Sequence, residues 1–269
     1  MSVLITGSTD GIGLATAKQL VGQGVDVALH GRNPDKLDAA LADVKGVSKG
    51  STVTAFAADL SDLEQVASLA ETVLDSGSAP RVLINNAGVF KTPSPIAANG
   101  LDVRFVVNTL APVLLTHRLL PAMSVDARIV NLSSAAQAPV SLAALSGEQS
   151  LSEFDAYAQS KLALTMWSQG MGESLTASGQ MMVAVNPGSL LASKMVTEGF
   201  GVAGSDIGIG VDILCRAGFS EEFANAGGRY YDNDAKTFAP PHADASDPEK
   251  TQSVVDAIYA LLGELGHPV

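Results

Sequence analysis

The apolar run Val3-Leu4-Ile5 leads directly into Thr6-Gly7-Ser8-Thr9-Asp10-Gly11-Ile12-Gly13, followed by a helical pattern through Leu14, Ala17, Leu20 and Val21. Strand, glycine turn and helix in this order begin a parallel β-α-β unit, and the turn is shaped for a pyrophosphate. Gly7 permits the tight turn, Gly11 lets the backbone approach the phosphates, and Gly13 allows close packing of helix on strand. The free N–H groups of the helix start then face the phosphates, with Gly7, Ser8, Thr9, Asp10, Gly11, Ile12 and Gly13 forming the cofactor turn. A glycine turn without a ligand would share the letters but not these flanks. Gly208-Ile209-Gly210 repeats the letters with no strand before it and reads as a flexible loop.

Apolar strand-like runs alternate with helix-length amphipathic segments along most of the chain. Strands are predicted at 2–6, 25–30, 52–57, 81–85, 127–132, 181–186 and 228–231, and helices at 11–23, 34–44, 61–75, 98–121, 153–178 and 248–264. Strands separated by helices imply an α/β fold, a doubly wound parallel sheet of the Rossmann type with helices on both faces. The 269 residues suit one domain with a full core. The last helix starts with Asp247 as cap and Pro248 in the first turn. Segments 136–152 and 189–227 break the rhythm and are expected to be binding loops or a lid, the latter rich in glycine.

Composition removes several classes of function. A net charge of −12 leaves no basic patch for nucleic-acid phosphates. No apolar run reaches about 18 residues, so no membrane span is expected. The chain begins directly in the first strand, which argues against a secretion signal, and the single Cys215 suits a reducing cytoplasm. The four histidines lack ligand spacing, so no metal is expected.

Tyr157 and Lys161 stand four positions apart in a predicted helix, hence on one face. A phenol that exchanges protons near neutral pH needs its pKa depressed by roughly 3 units, about 4 kcal/mol. An adjacent ammonium in a dry cleft, helped by a cofactor's charge, could supply that. By itself the pair also fits an exposed helix surface. Other residues gather at predicted strand ends: Asp59-Leu60, Asn85-Asn86-Ala87-Gly88, Ser133-Ser134 and Asn186-Pro187-Gly188. Ligands of open parallel sheets bind beyond the carboxyl ends of the strands, so these residues converge on one crevice. Ala87 and Gly88 are small enough for a flat ring or ribose to approach. Asn108, a mediocre helix former, lies within a predicted helix, where it could equally face solvent.

From about residue 2 to 190 the chain resembles the short-chain dehydrogenase/reductase family. Thr-Gly-x-x-x-Gly-Ile-Gly, Asn-Asn-Ala-Gly, the helix asparagine, the serine, Tyr-x-x-x-Lys and Pro-Gly occur in the family's order. Ser133-Ser134-Ala135-Ala136 and the text around Tyr157 are similar to its retinol-dehydrogenase-like branch. The resemblance implies that Tyr157 is the general acid for carbonyl reduction and the base for the reverse. It implies that Ser134 binds the substrate oxygen, that Lys161 lowers the tyrosine pKa and holds the nicotinamide ribose, and that Asn108 holds a water. Pro187, Gly188 and Leu190 would line the nicotinamide side. The threonine that often follows Pro-Gly is displaced, with Ser193 as its replacement.

The second predicted strand ends Leu29-His30-Gly31-Arg32-Asn33. Gly31 stands where NAD enzymes of this type carry a carboxylate, and the Arg32 guanidinium can grip a 2′-phosphate. These residues predict NADP(H), with Asp59 and Leu60 flanking the adenine; Asp10 and the acidic balance pull the other way. The expected function is hydride transfer between NADP(H) and an apolar carbonyl or alcohol. The alternatives are an NAD(H)-dependent dehydrogenase and a non-catalytic nucleotide sensor on the same fold. Pocket walls are expected from 135–152 and 189–227 with Phe90 and Tyr230, among them Leu142, Phe154, Leu190, Met195 and Phe200. The apolar faces of helices 98–121 (Leu110, Val113, Leu114) and 153–178 (Leu162, Leu164, Met166, Trp167) predict a homodimer or homotetramer.

Overall fold

The carboxyl ends of seven parallel strands form the platform of the candidate site. The computed structural model describes residues 2–77, 79–192, 196–197, 201 and 203–269. Its strands are β1 (Ser2–Ile5), β2 (Asp26–Gly31), β3 (Val53–Ala57), β4 (Val82–Asn85), β5 (Arg128–Leu132), β6 (Met181–Asn186), β7 (Tyr230–Asp232) and β8 (Thr237–Phe238). They form one sheet in the order β3-β2-β1-β4-β5-β6-β7-β8. All neighbours are parallel except β7 and β8. The order reverses between β1, which leads to β2 on one side, and β4 on the other. That switch point is where such sheets open a crevice.

The helices are α1 (Gly11–Gly22), α2 (Pro34–Gly46), α3 (Leu63–Asp75), α4 (Val103–Ala122), α5 (Leu142–Leu145), α6 (Glu153–Thr176), α7 (Gly208–Phe219) and α8 (Pro248–Glu264). One buried cluster lies between the sheet and α3, α4, α6 and α8; the other joins the sheet to α1, α2 and α7. Inward positions on the central strands are nearly all Val, Leu or Ile, as a sheet covered on both faces requires. Asp10, Asn33, Asp62, Asp102, Ser152 and Asp247 each cap a helix through a side-chain oxygen.

Three expectations change. Gly208-Ile209-Gly210 opens helix α7, because Asp206 accepts the Gly208 N–H at 2.8 Å and organises the start. A Cβ on Gly210 would lie 2.6 Å from Leu191 Cδ1, so this glycine serves close packing. The segment 189–227 is therefore partly helical; Ser193, Met195, Gly199 and Phe200 lie outside the described residues. A short antiparallel strand, β8, extends the sheet beyond the predicted edge.

The helix faces invoked for subunit pairing are covered within the chain. Leu110, Val113, Leu114, Leu162, Leu164, Met166 and Trp167 are at most 1% exposed. Helix α8 packs on α6, and Trp167 Nε1 donates to the Tyr259 hydroxyl at 3.1 Å. Helix α4 is long and apolar enough by composition to cross a bilayer, but most of that stretch is buried in this fold.

Candidate active site

The glycine turn is stitched to its neighbours on both sides. Gly7 has φ 63°, and a Cβ there would lie 2.8 Å from the Ala87 Cα. A Cβ on Gly13 would meet Asn86 Nδ2 at 2.5 Å and the Gly7 carbonyl at 2.6 Å. Asn86 Nδ2 donates to the carbonyls of Thr6 (2.8 Å) and Gly7 (3.0 Å), and the Ala87 N–H donates to Thr6 Oγ1 at 3.0 Å. Asp10 takes the Gly11 N–H at 2.7 Å. Neither the Ile12 nor the Gly13 N–H has a protein acceptor among the described residues. A cradle closed to any side chain, with free N–H groups at a helix start, fits a dinucleotide pyrophosphate.

The other strand ends border this turn. Gly31 is buried and Arg32 exposed, with no carboxylate paired to Arg32 among the described residues. Asn33 caps α2, its Oδ1 taking the Lys36 N–H at 2.9 Å, and its amide N–H₂ has no partner among the described residues. Asp59 is committed to Ser61, accepting its N–H at 2.9 Å and its hydroxyl at 2.8 Å, and Leu60 is buried. Gly88 follows Ala87 on the loop after β4.

The catalytic candidates come from α4, β5 and α6. Tyr157 lies half-buried on α6, and its hydroxyl faces Ser134 at the end of β5. Ser134 Oγ also accepts the Ala136 N–H at 3.1 Å. Lys161, one turn beyond Tyr157, is 4% exposed and donates from Nζ to the Leu132 carbonyl at 2.6 Å. Its ammonium sits 5.8 Å from the Tyr157 ring centroid. Burial pushes the lysine down to about 8. The expected depression of Tyr157 is not found in the protein itself. Burial pushes its hydroxyl above the ordinary value, and the neighbouring Ser134 hydroxyl offsets part of that. Tyr157 therefore holds its proton at neutral pH, as a donor to a carbonyl must.

Asn108 is fully buried rather than facing solvent. It sits in a widened π turn of α4, Val106–Leu110. Its Oδ1 accepts the Val89 N–H at 2.8 Å, while Nδ2 donates to the Val89 carbonyl (3.0 Å) and Ser160 Oγ (2.9 Å). Both amide hydrogens are thus engaged within the protein, and Pro112, four residues on, has no N–H to offer the Asn108 main-chain carbonyl the ordinary helical bond.

Residues beyond the sequence motifs support this constellation. Gln137 Nε2 donates to the Ser134 carbonyl at 2.8 Å, and the Tyr230 hydroxyl donates to the same oxygen at 3.2 Å. Asn233 Nδ2 holds the Pro187 carbonyl at 2.9 Å. Asp234 accepts the Ser189 N–H (2.8 Å) and hydroxyl (2.5 Å), and Asn186 Nδ2 at 2.9 Å. Partial burial pushes the Asp234 carboxyl up, but these donors leave it below its ordinary value. The β7–β8 turn thereby fixes the Pro187-Gly188-Ser189-Leu190 segment, where Gly188 has φ 123° and Leu190 φ 51°. The Asp-Asn-Asp turn letters were a visible signal for this turn, but only pairing of β7 with β6 brings it to Pro187. On the open side, the Phe90 ring lies 5.2 Å from the Tyr157 ring and 6.4 Å from Phe154. Phe154, Leu142 and Leu190 are exposed. Leu145 and Leu191, in the segments expected to line the pocket, are buried in the core.

The comparisons with known proteins agree with this geometry. The family model for short chain dehydrogenase matches residues 1–200. Retinol dehydrogenase 12 of Bos taurus is 35% identical over 202 residues, covering 74% of this chain and 64% of that protein. Polyprenol dehydrogenase of Homo sapiens is 32% identical over 195 residues, covering 69% of this chain and 59% of that protein. The chain thus spans less than two thirds of these relatives. Among solved structures, an uncharacterized protein from Mycobacterium Paratuberculosis has a TM-score of 0.78 at 27% identity, covering 100% of this chain and 95% of that one. A metagenomic short-chain oxidoreductase in complex with NADP has a TM-score of 0.62 at 27% identity, covering 81% and 90%. The chain belongs to the short-chain dehydrogenase family and is similar to its retinol dehydrogenases.

Proposed function

We propose that the protein interconverts a carbonyl and an alcohol on an apolar substrate with NADP(H). The observation that carries this reading is the Tyr157 hydroxyl facing Ser134, with the buried Lys161 ammonium 5.8 Å from the Tyr157 ring and a glycine turn built for a pyrophosphate on the same sheet. When bound, the nicotinamide supplies or accepts the hydride. Negative charge grows on the carbonyl oxygen as it is reduced, and Tyr157 and Ser134 are two hydroxyl donors that can meet it. Tyr157 passes its proton to that oxygen. Lys161, anchored on the Leu132 carbonyl, keeps a positive charge beneath the phenol as it ionises. Gln137 and Tyr230 hold the backbone of Ser134, so its hydroxyl stays aimed without reorganisation.

Exposed Arg32 after Gly31 supports NADP(H), since it leaves a free guanidinium where the adenine ribose would end. The NADP complex of a related oxidoreductase is consistent with that choice. Phe90, 5.2 Å from the Tyr157 ring, and exposed Phe154 beside it give the approach to Tyr157 an apolar wall, and relatives named for retinol and polyprenol point to alcohols of that character. A panel of apolar aldehydes, ketones and alcohols assayed at 340 nm with NADPH and NADP tests the reading. Cofactor binding without turnover of any member would favour the nucleotide-sensor alternative.

A further inference from the structure

His30 is a buried histidine at the end of β2 with both ring nitrogens engaged. It is 2% exposed, yet it touches three segments of the cofactor crevice. Nδ1 lies 3.1 Å from the Gly7 N–H, which donates to it. Nε2 lies 3.1 Å from the Ala58 carbonyl, next to Asp59 and Leu60. The His30 backbone N–H donates to Ser8 Oγ at 2.9 Å, and its carbonyl accepts the Ser8 N–H at 2.9 Å. A nitrogen that accepts from an amide carries no proton, so Nδ1 is the bare nitrogen and Nε2 carries the hydrogen toward Ala58. Burial pushes the ring's pKa down to about 4, in keeping with a neutral imidazole.

We infer that His30 is a positioning residue for the nicotinamide cofactor, holding the glycine turn through the Gly7 N–H while the Ala58 carbonyl anchors the far side of the ring. Gly7 is held in a left-handed conformation, φ 63°, and its N–H is the group that His30 orients. That fixes the direction of the following peptides, whose N–H groups at Ile12 and Gly13 are left for a pyrophosphate. The bond to Ala58 fixes the tautomer that leaves Nδ1 bare for Gly7. A ligand that must touch the glycine turn then binds without ordering it first, which is where preorganisation gains affinity. No part of His30 reaches the reacting atoms: it acts through Gly7.

The inference rests on the nicotinamide reading, and two substitutions separate it from plain structural support. In His30→Asn the side-chain oxygen can replace Nδ1 as acceptor for Gly7, while the bond to Ala58 is lost. In His30→Gln the longer amide N–H₂ can replace Nε2 as donor to Ala58, while the bond to Gly7 is lost. Each variant forfeits one neutral hydrogen bond, so a purely structural role predicts equal losses in melting temperature and NADPH affinity. Positioning through Gly7 predicts asymmetry: NADPH affinity near wild type in His30→Asn and lower by roughly 3- to 10-fold in His30→Gln, from one neutral bond. Turnover at saturating NADPH stays unchanged in both. NADPH titration by fluorescence, with melting curves alongside, reads the result. Equal NADPH affinities in the two variants overturn the inference while leaving the cofactor reading intact. Wild-type protein that binds neither NADPH nor NADH overturns both.

Discussion

The Thr9 methyl group fills the space that a side chain at position 31 would need: a Cβ built on Gly31 falls on Thr9 Cγ2. Installing a ribose-binding carboxylate there is therefore not a one-residue change. Gly31→Asp alone should be overpacked, destabilised by about 1–3 kcal/mol, and should not gain NADH activity. Thr9→Ala combined with Gly31→Asp should restore stability and shift preference toward NADH. Arg32→Ala should raise the Michaelis constant for NADPH roughly 10- to 150-fold, through the loss of a charge-assisted hydrogen bond, and leave that for NADH alone. Steady-state kinetics with both cofactors checks all three.

Tyr157→Phe should reduce turnover by about 10²- to 10⁴-fold while leaving NADPH affinity unchanged, because the hydroxyl carries the proton and does not hold the cofactor. A variant keeping more than a tenth of the wild-type rate would show that another group supplies the proton.

Lys161 sets a pH limit on reduction. Its pKa lies near 8, so the ammonium is present below that pH and lost above it, while Tyr157, raised above its ordinary value, stays protonated. The kcat/KM for carbonyl reduction should therefore be level toward neutral pH and fall above about 8. Lys161→Arg should abolish that limb, because a guanidinium keeps its charge throughout the range.

His30 links folding to pH. Burial lowers its pKa to about 4 against an ordinary 6.5, opposed in part by the Ala58 bond and the nearby Asp59 charge. Between these values the unfolded chain binds a proton that the folded chain refuses. Stability should thus be full above pH 6.5 and decline as pH falls toward 4, with a total contribution of about 3 kcal/mol. Urea melts of wild type and His30→Asn across this range should converge as the pH drops, since the variant lacks the titrating ring.

The burial of Trp167, Leu164 and Met166 within the chain, with α8 packed on α6, removes the apolar faces on which pairing was expected. Self-association through α4 and α6 would require α8 to leave. Light scattering at micromolar concentration should therefore give the mass of one chain, 27.5 kDa; a dimer would have to use another surface.

The sequence by itself determined the sheet, the direction of its strands and the cofactor turn. Val3-Leu4-Ile5 before Gly7, and Tyr157 four residues before Lys161, are local patterns whose consequences follow from strand and helix periodicity. The family resemblance added Ser134 and Asn108, and the fold brings Ser134 to Tyr157. What the sequence could not show depends on residues far apart in the chain. Gly208 and Gly210 look like loop residues until Leu191 and Ile12 pack against the helix they open. Asp234 and Asn233 carry no motif, yet the pairing of β7 with β6 places them on Pro187 and Ser189. The proton state of Tyr157 was likewise decided by tertiary structure. Adjacency to a lysine predicts a lowered pKa, but burial of the phenol costs its anion more than the neighbouring Ser134 returns.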